Sequence, residues 1–367
     1  MAQTCDCLII GGGIAGIGLA AHLGRDANAV VLEAEDAPGR HATGRSAAIF
    51  IRNYGNATLR ALNGASFPVL STGGAFSEEG FLSPRGELVV ARADEMEKFA
   101  AYRDGADGLD EIAVEEAQAL FPVLRADRIA AAAYEASAAD IDVDRLLQAY
   151  ARSARHAGAR IVTSAPVGEI ERLGDVWRVK AGAEIWEAPV VINAAGAWAD
   201  GIARLAGLAP LGLVPYRRSA AILPAPEGMD VSSWPAVVSA SERWYAKPEA
   251  GKLLVSPADE DPVEPHDAWP EDMVLAEGLD RFEQATTVAV TRVERSWAGL
   301  RTFAPDRTPV AGFSPEAEGF FWLAGQGGYG IQTSPALSRL AADLVLGRRS
   351  SLADAVVAAL DPGRFAR

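Results

Sequence analysis

The sequence predicts an α/β protein of two domains, and three observations carry that reading. A strand–turn–helix–strand unit with spaced glycines opens the chain, short alternating strands fill its middle, and a second glycine-rich loop returns near the C-terminus. With 367 residues the chain also exceeds what one hydrophobic core usually serves. The layout fits an open nucleotide-binding sheet that is discontinuous in sequence, over residues 1–80, 143–210 and 297–367. A substrate domain on an antiparallel sheet would interrupt it at 81–142 and 211–296.

The elements follow in order. Cys5 to Ile10 is a short apolar run and reads as the first strand, and Ile14 to Leu23 carries helical spacing. Ala29 to Leu32 is a second apolar strand, closed by Glu33. Residues 39–56 mix polar and small side chains without a period, which predicts an ordered loop. A strand is expected from Phe81 to Ala91 and a charged helix from Asp94 to Arg103. Asp142 reads as the N-cap of a helix whose face is traced by Val143, Leu146, Leu147 and Tyr150. Short strands are expected at 161–164, 167–172, 176–180 and 184–187, leading into Val190 to Ile192. Further strands are predicted at 213–223, 252–255 and 287–293, and a last helix from Ser334 to Leu346.

Composition excludes several classes. Apolar residues make up 49% and charged residues 23%, which rules out a disordered chain. A net charge of −15 argues against general affinity for nucleic acid or an anionic membrane. Only four of the 34 basic residues are lysines (Lys98, Lys180, Lys247 and Lys252), so a single arginine carries little information here. The two cysteines, Cys5 and Cys7, sit two apart in a strand, a spacing ill suited to a disulfide and expected of a reducing compartment. His22, His41, His156 and His266 are scattered singly, so no metal site is expected. Residues 8–21 mimic a secretion signal, but Asp6 precedes them and no basic segment does. No other stretch nears the ~18 uninterrupted apolar residues of a membrane helix. The expectation is a cytoplasmic protein without a transmembrane segment, peripheral membrane association being left open.

Gly11, Gly13 and Gly16 form a GxGxxG pattern between strand and helix. The first allows a tight turn, the second lets a pyrophosphate approach the backbone, and the third permits close helix–strand contact. Free N–H groups and the positive helix end then face the phosphates. Glu33, at the end of the second strand, can accept from a ribose diol and would repel a 2′-phosphate. Together these point to a dinucleotide, NAD or FAD.

The remaining small-residue segments choose between the two. Pro38 to Ala48 offers N–H donors and an arginine beside the expected phosphates, and Val191 to Trp198 ends a strand in small residues. Phe320 to Thr333 is strand, glycine loop and helix, a second backbone cradle. A nicotinamide site rarely needs that second cradle; a larger enclosed cofactor does. These segments resemble the D-amino-acid oxidase superfamily of flavoproteins, the group of glycine oxidase, sarcosine oxidase and D-amino-acid dehydrogenases, over essentially the whole chain. The likeness is closest to D-arginine dehydrogenase-type enzymes, through residues 41–48, 82–87, 297–301 and 326–333.

The resemblance implies a Rossmann-like FAD-binding domain and a non-covalent FAD. It places the cofactor against Gly11, Gly13, Ile14, Ala15, Gly16, Glu33 and Ala34, and against the loop of His41, Ala42, Thr43, Gly44, Arg45, Ser46, Ala47 and Ala48. Val167, Ala195, Gly196 and Trp198 follow, then Gly327, Gly328, Tyr329, Gly330, Ile331, Gln332 and Thr333. Some relatives tether flavin through a cysteine in the C-terminal half; both cysteines here lie in the first strand.

Four residues are candidates for the catalytic site: Tyr54, Arg218, Tyr245 and Arg301. Arg301 lies in the apolar frame Trp297 to Phe303, where a buried guanidinium needs an anion. On the residues alone a substrate carboxylate and an ion pair with Asp306 or Glu294 are equal readings, and the resemblance selects the substrate. Arg217 and Arg218 are strand neighbours that point to opposite faces, and the resemblance selects Arg218 as a second carboxylate contact. It also sets Tyr54 and Tyr245 over the pocket, although a core tyrosine is an equal reading for Tyr245. A carboxylate such as Glu87 at a strand start is usually solvated, whereas the D-arginine dehydrogenase pattern gives it the basic side chain of the substrate. That pattern has His and Thr where this chain has Ile49 and Ile51, and Met where it has Ala236. With Val238, Gly328 and Ile331 the pocket is therefore expected to be more apolar. His41 belongs to the flavin loop and is given no catalytic role.

The implied function is FAD-dependent oxidative deamination of D-amino acids with basic or hydrophobic side chains. A hydride passes from Cα to the flavin, and the imino acid then hydrolyses to a 2-oxo acid and ammonia. A quinone or another acceptor would take the electrons, and an oxidase is equally open. The alternatives are a sarcosine-type or glycine oxidase on the same fold, and a flavin protein without catalysis.

Overall fold

The computed structural model describes residues 1–366. Among them, six strands build a mostly parallel sheet in the order Arg160–Val162, Ala29–Leu32, Cys7–Ile10, Val190–Asn193, Phe320–Ala324, Val310–Phe313, the last strand antiparallel. Cys7–Ile10, Ala29–Leu32 and Phe320–Ala324 are buried at every residue, as a sheet covered on both faces requires. One face packs on helices Ile14–Leu23, Val143–His156 and Gly330–Val345, around Ile17, Tyr150 and Leu340. The other is closed by the Val176–Ala181 and Glu184–Ala188 hairpin, through Trp177 and Trp186, and by helix Ala199–Leu205.

Nine strands form the second sheet. Val214–Leu223 pairs along its length with Arg295–Phe303, and on its other edge with the two-residue strand Asp261–Pro262 and with Lys252–Ser256. Beyond it come Tyr245–Glu249, Ala236–Ser239, Glu87–Ala91, Ala131–Glu135 and Leu109–Ile112. One face of this sheet, with Leu88, Val90, Val237, Ala246 and Val255, closes on Phe282 of helix Asp272–Ala285 and on Ala117 of helix Val114–Leu120. The opposite face carries the candidate substrate residues.

Helix Ile14–Leu23 and strand Ala29–Leu32 have the expected bounds, and the Asp142 side chain caps its helix by accepting from the Arg145 N–H. Elsewhere the structure corrects the reading. The strand expected from Phe81 to Ala91 is two strands, because Gly86 turns the chain at φ +75°. Leu82–Pro84 pairs with Ala139–Ile141 in a small third sheet, while Glu87–Ala91 enters the nine-stranded one. Residues 287–293 form no strand: the Thr287 and Val290 N–H groups bond to the Val123 carbonyl and the Glu283 carboxylate instead. The helix expected from Ser334 to Leu346 as the last one spans Gly330–Val345 and is followed by another, Asp354–Leu360, and the helix expected from Asp94 is α-helical from Met96. Helices Ala57–Thr72 and Asp272–Ala285 were not anticipated. The boundary expected at 297 falls inside the Arg295–Phe303 strand. No helix among the described residues is long and apolar enough to cross a membrane.

Candidate active site

A cleft of about 480 Å³ opens at the C-terminal ends of the parallel strands, within the range of small-molecule sites. Its floor is the first glycine turn. Gly11 adopts φ +111°, and a Cβ there would strike the Ala194 carbonyl; a Cβ on Gly16 would strike the Gly11 carbonyl. Gly13 meets only Thr43 Oγ1, at 3.3 Å, so the second glycine leaves the turn bare, as a pyrophosphate requires. The Ile14 N–H, at the helix start, donates to Thr43 Oγ1 at 3.0 Å. Glu33 accepts from the Gly12 N–H at 2.6 Å and the Glu35 N–H at 2.9 Å, which holds the turn and leaves further lone pairs on the cleft side.

The walls contain most residues expected around a cofactor: Ala15, Ala34, His41, Ala42, Thr43, Arg45, Ser46, Ala47, Val167, Ala195, Gly196, Trp198, Gly327, Gly328, Gly330 and Ile331. Gly16, Gly44, Ala48, Tyr329, Gln332 and Thr333 are not among them. Gly44 N–H is bonded to the Gly39 carbonyl, and Thr333 Oγ1 to the Tyr329 carbonyl. Gln332 Oε1 accepts from the Ile51 N–H at 3.1 Å and its Nε2 donates to Asn63 at 2.9 Å, fastening the loop before Tyr54. No arginine of the 40–45 loop is free for a phosphate. Arg45 donates to the Ala268 and Ala298 carbonyls at 2.9 and 3.0 Å and pairs with Asp267, while Arg40 pairs with Asp36 and Glu35. His41 Nε2 lies 2.9 Å from Glu35, and its ring packs on Trp198.

Two cleft-lining polar atoms mark where a bound group would complete the structure. Thr302 Oγ1 and Gln326 Nε2 are buried and have no partner. Cys5 and Cys7 are free, absent from the walls, and burial pushes both thiols up to about 12.

At one end the cleft reaches Arg218, Tyr245 and Arg301. Register places the candidates Arg301, Arg218, Tyr245, Val238, Ala236 and Glu87 on one face of the nine-stranded sheet. Arg301 opposes Tyr216, and Arg218 opposes Gly299. Tyr245 opposes Val238, Ala236 opposes Glu87, and Glu87 opposes Glu135. Ala221, Val255 and Ala246, the intervening set, turn to the core behind. The row thus runs from two arginines at one end to two glutamates at the other.

Neither equal-odds partner of Arg301 is taken. Glu294 pairs with Lys252 and Arg292, and Asp306 pairs with Arg364. Arg301 instead sets Nη1 3.5 Å from the Tyr54 hydroxyl. Arg217 and Arg218 do point apart. Arg217 pairs with Asp261 and Glu271, both at 2.9 Å, whereas Arg218 donates Nε to the Asp259 carbonyl and lines the cleft. Burial, and then the Arg301 charge, lower the Arg218 pKa. Among the described residues, neither guanidinium has a carboxylate within ion-pair distance, although both line the cleft. Tyr54, whose pKa burial raises, packs at a tilt against Tyr329, ring centroids 4.8 Å apart.

Tyr54, Glu87, Ile49, Ile51, Ala236 and Val238 do not line the cleft itself. Ile49 pairs with Asp140 in the small sheet, and Ile51 is nearly buried. Glu87 is buried rather than solvated, at 3% exposure, and accepts from the Tyr102 hydroxyl at 3.0 Å. Sequence reasoning missed Tyr102, Glu135 and Asp259, whose main partners Glu87, Asn53 and Ser219 are distant in the chain, and Thr302, whose buried hydroxyl has none. Gln326 could have been found, since it stands inside the glycine loop.

Comparison with known proteins agrees with this geometry. A family model described as FAD dependent oxidoreductase matches residues 6–344. The glycine oxidase of Geobacillus kaustophilus is 26% identical, over 94% of each chain. The uncharacterized oxidoreductase YurR of Bacillus subtilis is 26% identical, over 72% of this chain and 71% of that protein. Other relatives are longer: the chain spans 43% of human mitochondrial dimethylglycine dehydrogenase. Among solved structures, L-proline dehydrogenase from P. horikoshii superposes with a TM-score of 0.85 at 23% identity, over 100% of this chain and 98% of that one. With a glycine-floored cleft, two unpartnered polar atoms on its wall and a family match along nearly its whole length, the chain belongs to the FAD dependent oxidoreductase family.

Proposed function

We propose that the protein is an FAD-dependent D-amino-acid dehydrogenase that oxidises substrates with basic or hydrophobic side chains. One observation carries the reading: Arg218 and Arg301 converge at the end of the cleft without a carboxylate partner. A planar guanidinium matches a carboxylate bidentately, and a substrate α-carboxylate supplies the missing anion. FAD, when bound, supplies the two-electron acceptor. The chain's own residues bind and orient. Arg218 and Arg301 hold the carboxylate, the Tyr54 hydroxyl beside Arg301 closes over it, and the Tyr54–Tyr329 pair excludes water. Tyr245, in register with Val238, floors the pocket, so rate enhancement rests on positioning Cα–H. The six-stranded sheet is assigned to the cofactor and the nine-stranded sheet to the substrate. D-configuration is supported by the likeness of residues 41–48, 82–87, 297–301 and 326–333 to D-arginine dehydrogenase-type enzymes.

A sarcosine-type or glycine oxidase is the second reading, favoured by the likeness to the Geobacillus kaustophilus glycine oxidase over 94% of each chain. Anaerobic bleaching of the flavin by a panel of D- and L-amino acids, glycine and sarcosine decides between them. Bleaching by D-amino acids alone supports the proposal; bleaching by sarcosine or glycine alone replaces it.

A further inference from the structure

Glu87 and Glu135 are register partners across the ladder of the Glu87–Ala91 and Ala131–Glu135 strands. Both are buried, at 3% and 0% exposure. Two buried carboxylates directly opposite each other do not both stay ionised at low cost. Their donors decide which one keeps its charge. Glu135 accepts from the Arg52 N–H at 3.0 Å, Asn53 Nδ2 at 2.6 Å and Ser137 Oγ at 3.0 Å. Glu87 accepts only from the Tyr102 hydroxyl, and its Oε2 is buried with no partner. The Tyr102 hydroxyl, from helix Met96–Arg103, favours the charged form, and Glu242, on the turn between Ala236–Ser239 and Tyr245–Glu249, adds a smaller negative field against it. Arg52 lays its guanidinium over Phe67.

We infer that Glu87, buried beyond the cleft wall on the sheet face that carries Arg218 and Tyr245, rests as a neutral carboxylic acid, so that a cationic side chain reaching it is accepted only by releasing a proton to solvent, whereas an apolar one is accepted without proton exchange. The inference rests on the proposed D-amino-acid reading and names how the far end of that pocket sorts its substrates. Burial first, then Glu135, push the Glu87 carboxyl up to about 8, which supports the same assignment. The order of the row fits too. Four strand spacings, ~19 Å of backbone, separate the Arg218 strand from Glu87.

The test uses the holoenzyme. The ratio of kcat/KM for D-arginine to that for D-leucine, from flavin reduction between pH 6 and 9, cancels titrations common to both substrates. The guanidinium stays charged throughout, so the ratio is expected to rise about tenfold per pH unit to about 8 and then level. Glu87→Gln should flatten it. Infrared difference spectra need no substrate: a protonated-carboxyl band should be present in the wild type below pH 8, vanish above it, and be missing in Glu87→Gln. A wild-type ratio that does not change with pH, or a band that Glu87→Gln leaves intact, would overturn the inference. Reduction by neither amino acid would overturn the functional reading and the substrate half of this inference, while the band would still decide where the proton resides.

Discussion

Arg218 Nε donates to the backbone carbonyl of Asp259 at 2.7 Å, while the Asp259 carboxylate grips the next residue along. Its oxygens accept from the Ser219 N–H at 2.6 Å and the Ser219 hydroxyl at 2.8 Å, with Arg217 Nε 3.5 Å away. Asp259 is 8% exposed, so this buried acceptor fixes the strand that presents Arg218 to the cleft. Asp259→Ala leaves the Ser219 donors without a partner, at about 1–3 kcal/mol. The expected outcome is a lower Tm and a KM raised about tenfold or more, with kcat less affected. A KM unchanged beside a lowered Tm would make Asp259 a stability residue only.

What the sequence made legible was local. The Gly11–Gly13–Gly16 turn, the Ile14–Leu23 helix and the Glu33 strand end are each specified within a few residues, and they lie where expected. The same holds for the opposite faces of Arg217 and Arg218, which strand alternation alone requires. What depends on register between distant strands was hidden. Nothing near Glu87 announces that Glu135 will oppose it, or that Asp259 will hold Arg218 from 41 residues away. The solvated reading of Glu87 failed for that reason. Helix Ala57–Thr72 was overlooked because its apolar face is sparse and a proline stands inside it; its start is nonetheless marked by Asn56, which accepts from the Leu59 N–H.

Arg301→Met should cost about 3–5 kcal/mol of apparent substrate binding, as removal of one partner of a buried charged pair does. In kcat/KM that is roughly a hundred- to several-thousandfold. Gly328→Ala gives an independent handle on the same side chain, because its Cβ would stand 2.9–3.2 Å from the Arg301 guanidinium. Both variants should weaken substrate; Arg301→Met should leave flavin content unchanged, whereas Gly328→Ala, on the loop expected to hold the cofactor, is read per bound flavin. Near-normal kcat/KM in Arg301→Met would return that residue to a structural role.

The purified protein should be yellow and should release intact FAD on denaturation. Neither cysteine lies on the cleft wall, and burial keeps both thiols protonated, which disfavours a thioether. Precipitation in acid followed by absorbance of the supernatant checks this. Flavin that stays with the pellet would show a covalent link through another side chain.

The Glu87 carboxyl also predicts how stability depends on pH. Its pKa is raised from 4.5 to about 8 by burial first and by Glu135 next. Between those values the folded chain holds a proton that the unfolded chain has lost, so this group's contribution to stability is full below 4.5 and declines as pH rises towards 8. Each pH unit across that interval removes about 1.4 kcal/mol at most, and relaxation around a buried acid reduces it, so the total is on the order of a few kcal/mol. Glu87→Gln cannot ionise and keeps a group of similar shape beside Tyr102. Its stability relative to the wild type should therefore rise steadily from pH 5 to 8, read as the difference in denaturant midpoint at each pH. A difference that stays constant over that window would mean that Glu87 is already ionised at pH 5, with its buried charge compensated by a partner other than the Tyr102 hydroxyl.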